Sequence, residues 1–310
     1  MARESGGIVR TTVAISGIVV FFALAVINST HAATVKSDRP KVTIDEEGRL
    51  CVDSKPFFPI GIYSVPLDKL AHAKELGFNM VHTYRGEGHK GRDSAESAED
   101  MKVYLDAAHK LGLKVWMGLP RYHVVKQQSK KLEQRIKLLQ ASPAFLVWYL
   151  FDEPHHQKVP VGPIASSVDL IKKYDTAKRP TVLVLCLVRR RQKYHKKNTG
   201  YLDCADIIMT DPYPVKRSNS NLVGVYDEII VTRKLLANKK PVWNVLQLHG
   251  NGPGGQGYGL LEPTFKQLRN MAYQSIVAGA RGLTSFAYDA GRLDLFKSAQ
   301  GMENVKKLTG

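Results

Sequence analysis

Eight short runs, each near-continuously apolar, recur along this chain at Phe57 to Tyr63, Phe78 to Tyr84, Leu113 to Leu119, Phe145 to Phe151, Pro180 to Leu187, Asp206 to Thr210, Pro241 to Leu248 and Gly282 to Tyr288. A strand with one wet face alternates apolar and polar residues. Runs without that alternation describe strands buried on both faces, the condition of a parallel sheet covered by helices. Their starts lie about 32 residues apart on average, the length that a strand, a helix and two loops require.

The segments between the runs carry helical spacing. Pro66 to Leu76 and Ala98 to Leu111 stop at Gly77 and Gly112, glycines suited to the left-handed C-cap position. Further amphipathic stretches occupy Lys130 to Ala141, Ile164 to Tyr174, Leu222 to Ala237 and Phe265 to Ala278, whereas the segment after the fifth run reads as irregular and polar. Unbroken strand–helix alternation predicts an α/β fold, a single-domain (β/α)8 TIM barrel over residues 34–310. A short N-terminal β-hairpin, Val42 to Pro56 with its turn at Glu46-Glu47-Gly48, is expected beneath the barrel. A doubly wound open sheet would need a glycine-rich phosphate turn after its first strand, and Gly61-Ile62-Tyr63-Ser64-Val65-Pro66 cannot serve as one.

Composition narrows the function classes. With 44% hydrophobic and 24% charged residues among 310, the chain is not of the disordered type. Its 45 Lys and Arg against 28 Asp and Glu give a formal charge of +17, which draws anionic partners but does not bear on fold. The densest basic run, Arg189 to Lys197, comes without any helix-turn-helix, zinc-finger or RNA-binding signature, so no specific nucleic acid is expected. Three cysteines, Cys51, Cys186 and Cys204, are too few for a disulfide scaffold and leave at least one thiol unpaired. Adjacent His155 and His156 have no third ligand spaced to match, so neither a metal nor another cofactor is expected. The glycine-rich Gly250 to Gly259 lacks the Gly-Lys-Ser/Thr ending of a phosphate loop and reads as a lid. Residues 1–33 read as a signal peptide: Arg3 and Arg10 precede the apolar run Thr12 to Ile27, with small residues at Thr30, Ala32 and Ala33. The expected location is secreted or periplasmic. An uncleaved segment would instead anchor the chain to a membrane.

In such barrels the chemistry sits where the strands end. The second run delivers His82, Tyr84 and Arg85, the third Arg121, Tyr122 and His123, the fourth Asp152, Glu153, His155 and His156, the sixth Asp211 and Tyr213, the seventh Gln247 and His249, and the eighth Tyr288 and Asp289. Aromatic faces stack on sugar rings, and carboxyl groups exchange protons with a glycosidic oxygen. Glu153 beside Asp152 suits the acid role, because a neighbouring like charge and partial burial raise a carboxyl pKa toward neutrality.

The run Trp148-Tyr-Leu-Phe-Asp-Glu-Pro154 resembles the strand-four motif of clan A glycoside hydrolases, which ends Asn-Glu-Pro with the glutamate as acid/base. Gly48 to Tyr63 is similar to the opening of those barrels and Lys240-Pro-Val-Trp243 to the approach to their seventh strand, so the resemblance spans Val42 to Asp289. It implies Glu153 as general acid/base and Arg85, Tyr213 and Trp243 shaping the sugar site; with the export signal, the expectation is a secreted hydrolase cleaving O-glycosidic bonds of a poly- or oligosaccharide. The positive balance leaves room for an anionic carbohydrate.

Two positions depart from the motif. Asp152 stands for the asparagine, and Val245-Leu246-Gln247-Leu248 has no carboxylate where the family places its nucleophile. A glutamine cannot form a glycosyl ester. Asp211 or Asp289 could then supply the second carboxylate, or a substrate group such as an acetamido oxygen, oriented by Asp152, could be the nucleophile. The alternative is an inactive carbohydrate-binding barrel. Carboxyl separation decides the mechanism, about 5 to 5.5 Å for retention and about 6.5 to 9.5 Å for inversion. The candidate catalytic residues are thus Glu153, Asp211 and Asp152, and the substrate-binding candidates are Arg85, Tyr84, Tyr122, His123, Tyr213, Trp243, Gln247, Tyr288 and Asp289.

Overall fold

The computed structural model describes residues 39–88, 95–186, 195–218, 220–250, 259–290 and 298–310. All eight apolar runs form strands of one closed parallel barrel: β4 (Ile60–Ile62), β5 (Met80–Val81), β6 (Lys114–Gly118), β7 (Phe145–Asp152), β8 (Thr181–Val184), β9 (Ile207–Thr210), β10 (Val242–Gln247) and β11 (Leu283–Phe286). They pair in chain order, and β11 closes the ring on β4. The signal-peptide segment, the basic run through residue 194 and residues 251–258 of the glycine-rich stretch lie outside the described residues.

Burial on both faces explains the unbroken apolar runs. Side chains on one side of the strands, among them Met80, Trp116, Val147, Tyr149, Val182, Met209, Trp243 and Val245, fill the barrel interior. Side chains on the other side, such as Val81, Trp148, Leu150, Leu183, Ile208 and Leu246, pack under the helices. The glycines of the strands make room for the interior rings: a methyl at Gly61 would stand 2.8 Å from the Trp116 ring, and one at Gly282 2.9 Å from Trp243.

The helices are α1 (Leu70–Glu75), α2 (Ala98–Lys110), α3 (Arg121–Val125), α4 (Ser129–Leu139), α5 (Val161–Tyr174), α6 (His195–Cys204), α7 (Val223–Leu235), α8 (Phe265–Val277) and α9 (Ala299–Thr309). Ser97 with Asp100 and Thr264 with Gln267 form capping boxes that start α2 and α8. Gly77 and Gly112 take φ of +87° and +71° after α1 and α2, the conformation that stops a helix at little cost. The segment after the fifth run departs from expectation, since α6 closes it by burying Tyr201 and Leu202. The weak amphipathic pattern of a mostly polar helix hid it.

The N-terminal hairpin is present and gains a third antiparallel strand: β1 (Val42–Ile44), β2 (Leu50–Val52) and β3 (Lys55–Phe57). Asp53 and Ser54, at φ of 51° and 64°, make a tight two-residue turn that returns the chain as β3 and takes Phe57 from the expected first barrel strand. Val42 and Leu50 join the interior cluster, and Gly48 lies against Pro241 and Arg281, where strands β10 and β11 begin. The sheet therefore plugs the end of the barrel opposite the strand C-termini. None of the three cysteines forms a disulfide. Among the described residues no helix is long and apolar enough to cross a membrane.

Candidate active site

The C-terminal ends of the strands surround a cavity of about 630 Å³ lined by Ser64, Tyr84, Arg85, Gly88, Glu96, Arg121, Asp152, Gln157, Phe286 and Ala290. That volume is within the range of small-molecule sites. Its floor is aromatic: the Tyr63 ring lies 4.9 to 5.9 Å from those of His82, Tyr84, Trp116, Tyr149 and Phe286.

Asp152 reaches the cavity because the β7–β8 register shifts between Tyr149 and Asp152. Its Oδ2 lies 3.5 Å from the Tyr84 hydroxyl and 3.8 Å from the Arg121 guanidinium. Burial holds the Asp152 carboxyl above the ordinary carboxylate range, against the pull of Arg121 and with the help of Glu87. Burial, then the Asp152 charge, also pushes the hydroxyls of Tyr63, Tyr84 and Tyr149 well up, so they remain protonated donors. Burial, then the charges of Asp211 and Asp152, raises the Tyr213 hydroxyl likewise.

Behind Asp152 lies a buried relay. His82 Nε2 is 2.7 Å from Glu87 Oε1, and Glu87 Oε2 is 3.2 Å from Arg121, whose guanidinium also lies 5.4 Å over both the Tyr84 and the Phe151 rings. Burial opposes the Arg121 charge, but Glu87 and Asp152 outweigh it and raise its pKa. Arg135 pins the same loop by donating to the Gly86 and Glu96 carbonyls. Glu87 fits only because residue 118 is glycine, since a Cβ there would stand 2.6 Å from Glu87 Cγ. Gly118→Ala is accordingly expected to displace Glu87 and cost about 1–3 kcal/mol in denaturant unfolding. An unchanged midpoint would show the relay to be looser than its distances.

The raised Asp152 pKa has a signed consequence. The folded protein holds this proton more tightly than the unfolded chain, so the group lowers stability as pH rises from the unfolded value toward the folded one. Asp152→Asn should therefore raise the melting temperature at pH 7, with the gain fading below about pH 4. A variant less stable than the parent at pH 7 would contradict this.

Glu153 follows Asp152 in the left-handed region, at φ of 43°. A carboxylate oxygen of Glu153 lies within 4.8 Å of one from Asp211 and of Cys186 Sγ. Donor atoms of Glu153, His155 and His156 likewise lie within 4.8 Å of one another, with Glu153 Oε1 3.4 Å from His156 Nε2. The turn at residues 154–158 thus supplies the third donor that linear spacing did not show. Partial burial, and then the neighbouring His156, lowers the His155 pKa to about 4, which leaves it neutral at ordinary pH.

The remaining candidates divide. Arg85 and Tyr84 line the cavity, and Tyr213 packs 4.9 Å from the His249 ring and 6.3 Å from that of Phe286, whose peptide to Ala287 is cis. Tyr122 and His123 lie on α3, half-buried, and do not line the cavity. Three expected substrate contacts are placed elsewhere. Trp243, near the start of β10, is wholly buried in the barrel interior. Tyr288 turns to the helix layer and bonds His72 Nδ1 at 2.7 Å. Gln247 is fully buried, accepting from the Val215 amide and donating to the carbonyls of Val215, His249 and Leu261. It braces the loops after β9 and β10. Asp289 is exposed, held by backbone bonds to Ser64 beside the cavity. Sequence reasoning missed Glu87 and Gln157, whose amide donates to the Asp152 carbonyl at 2.6 Å. Glu87, two residues past Arg85, was within reach of a reading that continued beyond the strand end.

Fold and mouth together define a (β/α)8 barrel with carboxylates, tyrosines and arginines at its catalytic face. No protein-family model and no curated protein matches the sequence. Among solved structures, the chain is similar to a β-glucuronidase from Ruminococcus gnavus in complex with C6-substituted uronic isofagomine, at 13% identity and a TM-score of 0.60, covering 87% of this chain and 52% of that one. It is also similar to the Bifidobacterium dentium β-glucuronidase complexed with coumarin-3-O-glucuronide, at 12% identity and a TM-score of 0.58, covering 86% and 48%. The chain thus spans about half the length of these enzymes. At such identities the likeness is one of fold.

Proposed function

We propose that the chain is a glycoside hydrolase that cleaves the O-glycosidic bond of a poly- or oligosaccharide, with Glu153 as general acid/base and Asp211 as the second carboxylate. The observation that carries this reading is the approach of the two carboxylates within 4.8 Å. So close an approach favours the retaining mechanism, which needs carboxyl groups about 5 to 5.5 Å apart, over the inverting one, which needs room between them for a water. Glu153 protonates the leaving oxygen while Asp211 attacks the anomeric carbon and forms a glycosyl ester. Water, deprotonated by Glu153, then releases the sugar with its configuration kept. Asp152, beside Tyr84 and Arg121, is available to bond a ring hydroxyl, and Tyr84 and Phe286 on the cavity wall offer aromatic faces.

The exposed Arg85 guanidinium and the half-buried Arg121 on the cavity wall suit a sugar bearing a carboxylate, the class named for the β-glucuronidases of like fold. Turnover of a panel of neutral and uronic p-nitrophenyl glycosides tests this. Faster release from the uronic members is expected, and none from any member would sink it. The second reading, a barrel that binds sugar without cleaving it, draws on the absence of a β10 carboxylate and the sequestered Gln247 amide. Export through cleavage of residues 1–33 belongs to the proposal as well, and N-terminal sequencing of protein secreted by an expressing cell checks it.

A further inference from the structure

Around Glu153 the chain gathers donors beyond those that hydrolysis uses. Donor atoms of Glu153, His155 and His156 lie within 4.8 Å of one another, and those of Cys186 and Asp211 lie within the same distance of Glu153. Pro154 and the turn at 154–158 bring this about: the His156 amide bonds the Glu153 carbonyl at 3.0 Å, folding the run back on itself. The two imidazole rings are 4.2 Å apart and tilted 44°, so they converge rather than stack. Two ligands at about 2.1 Å from a tetrahedral zinc stand about 3.4 Å apart. The Glu153 Oε1 to His156 Nε2 separation is 3.4 Å. Two imidazoles with one carboxylate select zinc-class ions over calcium or magnesium, which prefer oxygen alone. His156 is exposed and gives an ion access from solvent.

We propose that the mouth of the barrel binds a divalent transition metal of the zinc class through Glu153, His155 and His156, and that the bound ion withdraws Glu153 from proton transfer. Metal binding stands apart from the hydrolase reading, whereas the inhibitory consequence rests on it. Titration calorimetry with zinc chloride on the chelator-stripped full chain tests the site. One ion per chain is expected, with His155→Ala and His156→Ala each weakening binding at least tenfold and His109→Ala, on the exposed side of α2, leaving it unchanged. Absence of binding, or binding indifferent to both substitutions, overturns the site. In a glycoside assay, saturating zinc should suppress turnover and a chelator restore it; turnover unmoved by zinc overturns the inhibitory role. Zinc bound by a chain that cleaves no glycoside supports the site and counts against the hydrolase reading alone.

Discussion

Glu153→Gln is expected to lower hydrolysis of a responsive glycoside by at least about a thousandfold, because the amide can neither protonate the leaving oxygen nor later deprotonate water. The side chain keeps its size, and Glu153 is only partly buried on a turn, so the fold should survive. Substrates with activated leaving groups need less acid assistance. The loss in kcat should therefore be smaller for an aryl glycoside of low leaving-group pKa than for an alkyl one. Asp211→Asn, in contrast, should abolish both equally, since it removes the attacking group. Equal losses across leaving groups for Glu153→Gln would remove the acid role.

The largest effect on stability is expected far from the cavity, at Asp175. Its carboxylate accepts from Trp148 Nε1 at 2.8 Å and from Arg179 at 2.9 Å, with both partners of the ion pair fully buried. Arg179 further donates to the carbonyls of Phe145, Gln140 and Ser142, so one pair ties the start of β7 to the loops before β7 and β8. Asp175→Ala strands a buried guanidinium and an indole N–H, at a cost of about 3–5 kcal/mol, or roughly a 10 °C fall in melting temperature. The double variant Asp175→Leu with Arg179→Met should recover much of that loss, because no lone charge remains inside. A single variant within about 0.5 kcal/mol of the parent would show that the pair carries no such weight.

The barrel was legible in the sequence because parallel strands need apolar residues on both faces, and runs such as Phe145 to Phe151 satisfy nothing else. The same property hid which side each residue takes. Trp243, Gln247 and Tyr288 sit in or beside such runs, and no polar alternation marks the cavity side from the helix side. The strand β11 is also shorter than its run, so Tyr288 lies past its end, and the residues after the third run, Tyr122 and His123, turn at once into helix α3. The Asp152-Glu153 pair was legible because two acids closing an apolar strand have only the mouth to enter. Its partners were legible only in part: Asp211 was a candidate from its own strand end, but its approach to Glu153 and the place of Glu87 were not. Asp211 meets Glu153 across loops more than fifty positions apart, and the Glu87 relay depends on the missing side chain at Gly118.

Proton NMR of the first sugar released from an aryl glycoside, recorded before mutarotation, tests the Glu153–Asp211 pair most directly. From a β-linked uronic substrate the expected product is the β-anomer, formed by the parent chain and absent with Asp211→Asn. The α-anomer as first product, or unchanged β-anomer from Asp211→Asn, would contradict a nucleophilic Asp211 at this spacing.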